Sequence, residues 1–529
     1  MTLEYDFPLM CPDVISHNGR VFTDQTALVC GDTRMTWREV DEATNRFANT
    51  LRELGLDKGD KVALLMPASI DTFIAFWGSA KAGCVTVPLN VLLDGDSLAR
   101  LLNDSDAEII FVDSQTAAQI DSVRSTLTNI PADRFFTFGE TGTGWSDIRP
   151  LIEGASPEAP PVKIKPQDTI TILYTSGTTG MPKGIEHTHL SRMMYPYGFG
   201  MGLRIDRYST AILATPPYAS GTWITMIPTM YRGGKIVILE KFTSDAFLAA
   251  VERERGTHAF LVPTQYIALL EDPHLSDFDV SSMQCLVTSG QPIAEKTYNA
   301  IDRAFENAGI YEVYGFSEGF AYLRIPEDAA QGKRTSVGKP IMLEEARIVG
   351  DDGTELPVGQ TGEIVARSIG MMKGYYNNPE LTEAATWYAP DGRSFMRTGD
   401  VGHVDADGFL YVSGREKDMI KSGGINIFAV DIEQVFMRHP DVLEVAAIAK
   451  PDPKWGETPI LIAIPRAGAV ITDEELRVWG NDRLAKYQRV SAVIFRDDLP
   501  RAVYGKIQKE ALRREFGTGA PIEYVGGTA

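Results

Sequence analysis

One stretch near the middle of the chain concentrates groups that can bind a polyphosphate. It reads Tyr-Thr-Ser-Gly-Thr-Thr-Gly-Met-Pro-Lys-Gly from Tyr174 to Gly184, after an apolar run that predicts a buried strand. Glycines let the backbone approach a ligand, hydroxyl and amide groups donate hydrogen bonds, and Lys183 adds a positive charge. The spacing is not that of the Walker A loop, because Gly184 follows the lysine where that loop has serine or threonine. The alternative is a flexible surface loop after a strand.

Four further segments agree with this loop and follow it in a fixed order. They are Tyr311–Glu318, Arg397–Asp400, Gly408–Asn426 and Leu499–Ile507. With the loop, they resemble the motifs of the adenylate-forming superfamily, which includes acyl-CoA synthetases, adenylation domains of peptide synthetases and luciferases. The resemblance runs from about Thr36 to Lys509 and is closest to the acyl- or aryl-CoA ligase branch. Read alone, the shorter motifs are typical of turns, so it is their shared order that favours the family.

The resemblance implies a site for ATP. In the family, an aromatic residue of the Tyr-Gly-x-Ser-Glu motif stacks on adenine, and the aspartate of Thr-Gly-Asp accepts hydrogen bonds from the ribose hydroxyls, which suits a carboxylate. The residues implied in ATP binding are Thr175, Ser176, Gly177, Thr179, Gly180, Gly290, Gln291, Pro292, Tyr314, Gly315, Phe316, Ser317, Asp400 and Arg415.

The same resemblance assigns catalytic and positioning roles. The catalytic residues implied are Thr178, Lys183, Glu318 and Lys506, of which Lys506 is the adenylation lysine. Glu318 and Thr175 are expected to hold Mg²⁺, which prefers hard oxygen ligands. Lys417 is implied as the hinge between two domains. Lys421, Gly423 and Gly424 are implied on the face that serves the thioester step.

The chemistry implied is a two-step ligation. A carboxylate attacks the α-phosphorus of ATP to give acyl-AMP and pyrophosphate, and the thiol of coenzyme A then displaces AMP. The predicted function is therefore an ATP-dependent carboxylate–CoA ligase. The alternatives are a stand-alone adenylation enzyme that loads a separate carrier protein and a non-catalytic nucleotide-binding protein. The absence of an appended carrier domain before Ala529 argues against a modular peptide synthetase.

The segment Pro216–Ala219 departs from the family pattern. Many acyl- and aryl-CoA ligases carry a histidine where this chain has Ala219, although Tyr218 keeps the preceding aromatic. Aromatic residues near the loop and the adenine motif predict an apolar, flat or bulky acid: aryl, arylalkyl, alicyclic or medium-chain. The residues expected to form this acid pocket are Tyr218, Ala219, Trp223, Phe316 and Phe320.

The composition limits the remaining possibilities. The 529 residues carry a formal net charge of −20, which argues against a nucleic acid or a membrane surface as partner. The four scattered cysteines predict neither a disulfide framework nor a zinc site. The N-terminus resembles no signal peptide, and the apolar run 70–82 is too short for a membrane span, so we expect a cytoplasmic protein. A homodimer is common among such enzymes.

The elements that must position these residues alternate between strands and helices. Lys61–Met66, Val85–Pro88 and Glu108–Val112 read as strands, and Ser69–Ala82 as a helix. From about residue 341, short segments split by Asp-Gly turns predict a β-rich subdomain. The sequence therefore predicts an α/β protein whose large N-terminal domain, residues 1–414, has parallel-type sheets covered by helices. A hinge joins it to a small α+β domain at 415–529.

Overall fold

The computed structural model describes residues 10–139, 142–175, 183–341, 343–501 and 507–517. Within these ranges the strands form four sheets, and helices pack around them. This confirms the predicted α/β class, with larger sheets in the N-terminal part and a smaller one near the C-terminus.

The first sheet is parallel in its centre and antiparallel at its edges. In sheet order its strands are Lys339–Pro340, Phe320–Arg324, Gly309–Phe316, Cys285–Ser289, His258–Leu261, Thr210–Leu213, Lys235–Ile238, Thr26–Cys30 and Thr33–Thr36. Because the central strands run in one direction, their carboxyl ends open on the same edge. Ligands of open α/β sheets bind outside that edge.

The second sheet carries the predicted phosphate loop. In sheet order its strands are Gly374–Tyr375, Lys183–Thr188, Thr169–Thr175, Val85–Pro88, Lys61–Leu65, Ala107–Val112, Phe135–Thr137 and Ser146–Asp147. Thr169–Thr175 and Lys183–Thr188 pair antiparallel, so they form a hairpin that presents the loop. The strands predicted at 61–66, 85–88 and 108–112 are confirmed to within about one residue at each end.

Helices cover both sheets. They are Cys11–Val21, Trp37–Glu53, Ile70–Lys81, Gly95–Asp104, Ala117–Asp121, Arg149–Gly154, His189–Met193, Trp223–Tyr231, Ser244–Glu254, Pro263–Glu271, Glu295–Ala304 and Pro326–Asp328. The Thr36 hydroxyl accepts a hydrogen bond from the Glu39 N–H at 3.3 Å, and the Glu39 carboxylate accepts one from the Thr36 N–H at 2.7 Å. The two hydrogen bonds form a capping box, which fixes the start of the helix Trp37–Glu53.

The β-rich segment forms an antiparallel sheet. Its strands are Glu345–Val349, Gly362–Arg367, Thr386–Tyr388, Ser394–Val404 and Leu410–Arg415, with the short helix Pro379–Ala384. The glycines of the three Asp-Gly turns, Gly353, Gly392 and Gly408, have φ of 77°, 82° and 81°. Glycine adopts this left-handed conformation without steric cost, as the turn prediction requires.

The C-terminal segment builds a sheet with its own apolar core. Its strands are Ile420–Ser422, Ile425–Ile427, Val442–Asp452, Gly456–Pro465 and Val493–Phe495, and its helices are Ala429–Phe436, Asp473–Asn481 and Lys509–Phe516. The buried side chains of this region pack in clusters made only of residues from 420 onwards. Among the described residues, no helix is both long enough and apolar enough to span a bilayer.

Candidate active site

The base of the predicted phosphate loop is a pair of facing residues. Thr175 and Lys183 are register partners at the end of the hairpin that carries the loop. The residues predicted between them, Ser176, Gly177, Thr178, Thr179 and Gly180, lie outside the described residues. Just before the loop, the Tyr174 hydroxyl donates to the Asp104 carboxylate at 2.6 Å, which ties the hairpin to the helix Gly95–Asp104.

The two segments predicted to surround adenine lie side by side at the carboxyl edge of the first sheet. Gly290, Gln291 and Pro292 follow the strand Cys285–Ser289, whereas Ser317 and Glu318 follow its parallel neighbour Gly309–Phe316. Gly290 has a φ of 95°, so the turn that brings Gln291 to this edge needs a glycine. Parallel pairing therefore brings together motifs that are about 25 residues apart in sequence.

Asp400 is the centre of a second group of predicted nucleotide-binding residues. Its Oδ2 accepts a hydrogen bond from the Tyr314 hydroxyl at 2.7 Å, and its Oδ1 lies 2.8 Å from Arg415 Nε. Asp400 is only 5% exposed. Burial and the adjacent carboxylate raise the pKa of Tyr314 well above its usual value, so the phenol stays protonated and donates a hydrogen bond to Asp400. Three separate motifs thus meet at one carboxylate.

Glu318 and Lys183, which belong to different motifs, both contact Tyr375. The Tyr375 hydroxyl donates to Glu318 Oε1 at 2.8 Å, and Lys183 Nζ lies 5.2 Å from the centroid of the Tyr375 ring. The Glu318 carbonyl also accepts a hydrogen bond from the Met372 N–H at 2.6 Å. Sequence reasoning assigned no site role to Tyr375, because a tyrosine after a glycine carries no chemical signal of its own.

His187 is a second residue that sequence reasoning missed. It is fully buried, and its Nε2 lies 2.8 Å from the Ser317 carbonyl oxygen. A carbonyl only accepts hydrogen bonds, so Nε2 carries the proton and donates a hydrogen bond to this oxygen. Burial lowers the pKa of His187 well below its usual value, and the imidazole is neutral. The available signal was strand alternation, since His187 follows Ile185 on the inward face of Lys183–Thr188.

The segment with Ala219 reaches the adenine segment and borders an apolar cavity. Ser220 Oγ lies 3.3 Å from Ser317 Oγ, and Ala219 is fully buried. Beyond it, a small apolar cavity lies between the helix Ile70–Lys81 and the helix Trp223–Tyr231. Its lining includes Trp223, whose indole N–H donates to the Pro217 carbonyl at 2.9 Å.

The predicted acid-pocket residues do not all lie at this cavity. Trp223 lines it, but Phe320 is 1% exposed and packs in a cluster that faces the β-rich sheet. The Phe316 ring stacks on Phe320 with centroids 5.5 Å apart, so Phe316 belongs to the same aromatic group. Tyr218 is partly buried and does not line the cavity. The side chains of Phe316 and Phe320 follow strand alternation toward the β-rich sheet, which sequence spacing alone did not reveal.

The predicted hinge and thioester residues lie on the first turns of the C-terminal segment. Lys417 occupies the 3₁₀ turn Glu416–Asp418, and Lys421 the strand Ile420–Ser422. Gly423 and Gly424 form the following tight turn, with φ of 57° and 79°. A Cβ at Gly423 would lie 2.9 Å from the Trp455 ring, so this position excludes a side chain. Lys506 lies outside the described residues.

The donor set suits Mg²⁺ held largely by substrate. In the described ranges no three His, Cys, Asp or Glu side chains converge as a metal cage. Mg²⁺ commonly binds through one or two protein oxygens together with phosphates and water. Glu318 offers such an oxygen, because Tyr375 occupies only Oε1. The Thr175 hydroxyl can supply another.

Comparison with known proteins assigns the family. The family model of the AMP-binding enzymes matches residues 15–376, and the model of their C-terminal domain matches residues 431–506. A long-chain-fatty-acid–CoA ligase of Mycobacterium tuberculosis is 32% identical over 93% of this chain and 95% of its own length. A feruloyl-CoA synthase of an Amycolatopsis species is 33% identical over 94% of this chain and 97% of its own.

A solved structure agrees with these relatives. The anthranilate CoA ligase AuaEII in complex with anthranoyl-AMP superposes with a TM-score of 0.87 at 26% identity, covering 96% of this chain and 98% of that one. The chain belongs to the AMP-binding enzymes of the adenylate-forming superfamily, in the acyl- and aryl-CoA ligase branch, and is an ATP-dependent carboxylate–CoA ligase.

Proposed function

We propose that the enzyme activates a bulky, mainly apolar carboxylic acid at the carboxyl edge of the first sheet. The residues around Asp400 bind the nucleoside end of ATP, and those around Glu318 bind its phosphate end. The observation that carries this proposal is the convergence of separately predicted motifs on these two carboxylates. Asp400, which Arg415 and Tyr314 hold in place, accepts hydrogen bonds from the ribose hydroxyls. Glu318, Lys183 and Thr175 serve the phosphates.

The first half-reaction joins two anions, so its barrier is mainly electrostatic. A carboxylate oxygen attacks the α-phosphorus, and the bond to the bridging oxygen of pyrophosphate breaks. Lys183 and the loop donors Ser176, Thr178 and Thr179 neutralise the leaving pyrophosphate, and Lys506 stabilises the charge that develops at the α-phosphoryl group. Mg²⁺, held by Glu318 and Thr175, supplies further neutralisation of the phosphate charge when bound.

The second half-reaction takes place at the same site, with the thiol of coenzyme A as the attacking group. The thiol sulfur attacks the acyl carbon, the bond to AMP breaks, and the thiol proton leaves to solvent. We place the domain boundary at residues 414 and 415 and the pivot at Lys417, so that the segment from 415 rotates between the two half-reactions. The separate apolar clusters from residue 420 onwards support this division. Lys421, Gly423 and Gly424 then line the path of the thiol.

The acid class follows from the cavity beside Trp223. Its apolar lining favours an aryl, arylalkyl, alicyclic or medium-chain acid over a small polar one. The relative named for feruloyl-CoA supports an aryl acid, and the relative named for long-chain fatty acids supports an apolar one. Pyrophosphate exchange with a panel of such acids, followed by AMP release with and without coenzyme A, tests the proposal. Exchange with small polar acids alone would contradict it. A cytoplasmic location and a homodimer stay predictions.

Asp400→Asn is expected to raise the KM for ATP by about 10- to 100-fold, with a smaller change in kcat. Hydrogen bonds to a charged group contribute about 1.5–3 kcal/mol, and the neutral amide weakens those to ribose and Arg415. Steady-state kinetics with varied ATP measures the effect. Asp405→Asn is the matched control, because Asp405 also contacts a cation and a tyrosine, Lys333 at 2.7 Å and Tyr411 at 3.2 Å, outside the site. Equal changes in both variants would contradict the ribose role.

Trp223→Leu is expected to shift the acid preference toward longer or bulkier acids, by about 10-fold in relative kcat/KM, since one methylene is worth 10-fold or more in such pockets. The indole is 1% exposed and lines the cavity, so its removal enlarges the space. Tyr195→Phe is the control, because Tyr195 and Trp223 both contact Arg192 but Tyr195 does not line the cavity. An unchanged ranking of acids in Trp223→Leu would separate the cavity from acid selection.

A further inference from the structure

Tyr375 joins the two halves of the phosphate site. It belongs to the short strand Gly374–Tyr375, which pairs with the start of the strand that carries Lys183, with Tyr375 opposite Ile185. Its N–H donates to Thr382 Oγ1 at 2.9 Å, and the residue is 7% exposed. The backbone is thus held on both sides and the side chain is enclosed, so the phenol is fixed before any ligand binds.

The same segment clamps the turn that carries Glu318. The Met372 N–H donates to the Glu318 carbonyl at 2.6 Å. Gly319 has a φ of 114°, and a Cβ there would lie 2.1 Å from the Gly370 carbonyl oxygen. This close approach allows only glycine. The backbone of Glu318 therefore sits directly on the segment 370–375, within reach of the Tyr375 hydroxyl.

The phenol contacts two groups of opposite charge by two different surfaces. Its hydroxyl donates to Glu318 Oε1 at 2.8 Å, and its ring lies 5.2 Å from Lys183 Nζ, within the range of a cation–π interaction. Among the described residues Lys183 and Glu318 form no direct ion pair with each other. Such a pair would neutralise both groups, so neither would be available to a nucleotide and its cation.

We infer that Tyr375 is a positioning residue that orients Glu318 toward the nucleotide-bound cation and keeps Lys183 from pairing with it. The inference rests on the proposed function, because it takes Glu318 as the cation-binding carboxylate and Lys183 as a phosphate-binding cation. The hydroxyl engages Oε1 and leaves Oε2 to the cation. Hydrogen bonds to ligating carboxylates orient them, and their loss commonly costs 10- to 100-fold in metal affinity. The ring supplies the second task, since it attracts Lys183 Nζ to its face while the hydroxyl holds Glu318.

Two substitutions separate these tasks. Tyr375→Phe removes the hydroxyl and keeps the ring, so it is expected to weaken binding of Mg·ATP by about 10-fold or more while binding of ATP in EDTA stays unchanged. Tyr375→Leu removes the ring as well, so Lys183 can pair with Glu318, and ATP binding is expected to weaken with and without Mg²⁺. Isothermal titration calorimetry on the full chain measures both affinities, independently of turnover.

Tyr376→Phe is the matched control. Tyr376 is the residue after Tyr375, and its hydroxyl also donates a hydrogen bond to a carboxylate, Asp106 Oδ2, at 2.9 Å. It should leave both affinities unchanged. The inference is overturned if Tyr375→Phe binds Mg·ATP as the wild type does, if it loses affinity equally in EDTA, or if Tyr376→Phe shows the same loss. Failure of the proposed function has a separate signature, the absence of acid-dependent pyrophosphate exchange in the wild-type enzyme.

Discussion

Lys506→Ala is expected to abolish formation of acyl-AMP while leaving thioester formation from supplied acyl-AMP largely intact. The adenylation step brings a carboxylate to a triphosphate, and a single well-placed positive or donor group at such a centre is worth about 10²–10³ in kcat. The thioester step starts from a mixed anhydride whose leaving group is AMP, and it has no need of a cation at the α-phosphorus in our proposal. The expected result is therefore a selective loss.

Two assays measure the selectivity. Acid-dependent pyrophosphate exchange reports the first half-reaction, and single-turnover reaction of synthetic acyl-AMP with coenzyme A reports the second. Lys509→Ala is the control, since Lys509 is a lysine of the same region that pairs with Glu433 at 2.7 Å at the start of the helix Lys509–Phe516. Equal loss in both half-reactions of Lys506→Ala would remove Lys506 from its assigned role.

The sequence predicted the elements well where apolar residues alternate or recur with a clear period. Val85–Pro88 is buried at every position, and the helix predicted at Ser69–Ala82 spans Ile70–Lys81 with Ser69 as its N-cap. The order of strands within each sheet was not predictable, because it depends on pairing between distant segments. The strand Thr26–Cys30, for example, pairs in parallel with Lys235–Ile238, which lies about 200 residues later in the chain.

The residues of the candidate site also fall into those that the sequence predicted and those that it did not. Motif resemblance singled out Asp400, Glu318, Lys183 and Arg415, each of which now has a named partner at the candidate site. It assigned no site role to His187 or Tyr375, whose contacts join strands far apart in sequence. It also grouped Phe320 with the acid pocket, although strand alternation directs that ring to the β-rich sheet.

The proposed pivot lies in the short connection between two sheets, at residues 415–420. The last strand of the β-rich sheet ends at Arg415, and the first strand of the C-terminal sheet begins at Ile420. Between them, burial lowers the pKa of the Lys417 ammonium, and the guanidinium groups of Arg415 and Arg513 lower it further. Asp418 forms an ion pair with Arg513 on the final helix. Any rotation of the C-terminal segment must be absorbed by backbone torsions in this short connection.

Lys417→Pro is expected to slow the thioester step by about 10²-fold or more while adenylation changes much less, since misplacing catalytic groups by 1 Å can cost that factor. Proline fixes φ near −65°, which suits the second position of the 3₁₀ turn Glu416–Asp418. With φ fixed, the change of torsion that our proposal needs for a second arrangement is blocked. In our proposal, adenylation requires one arrangement of the C-terminal segment, whereas turnover requires two.

The same pair of half-reaction assays measures this effect. Lys417→Ala is the matched variant, because it removes the ammonium group but leaves φ free, and it should keep the ratio of the two rates close to that of the wild type. A proline variant in which both rates fall together would place Lys417 outside the pivot. A ratio that shifts equally in the alanine variant would assign the effect to the charge. Only a shift confined to proline identifies the backbone at Lys417 as the element that switches one site between its two reactions.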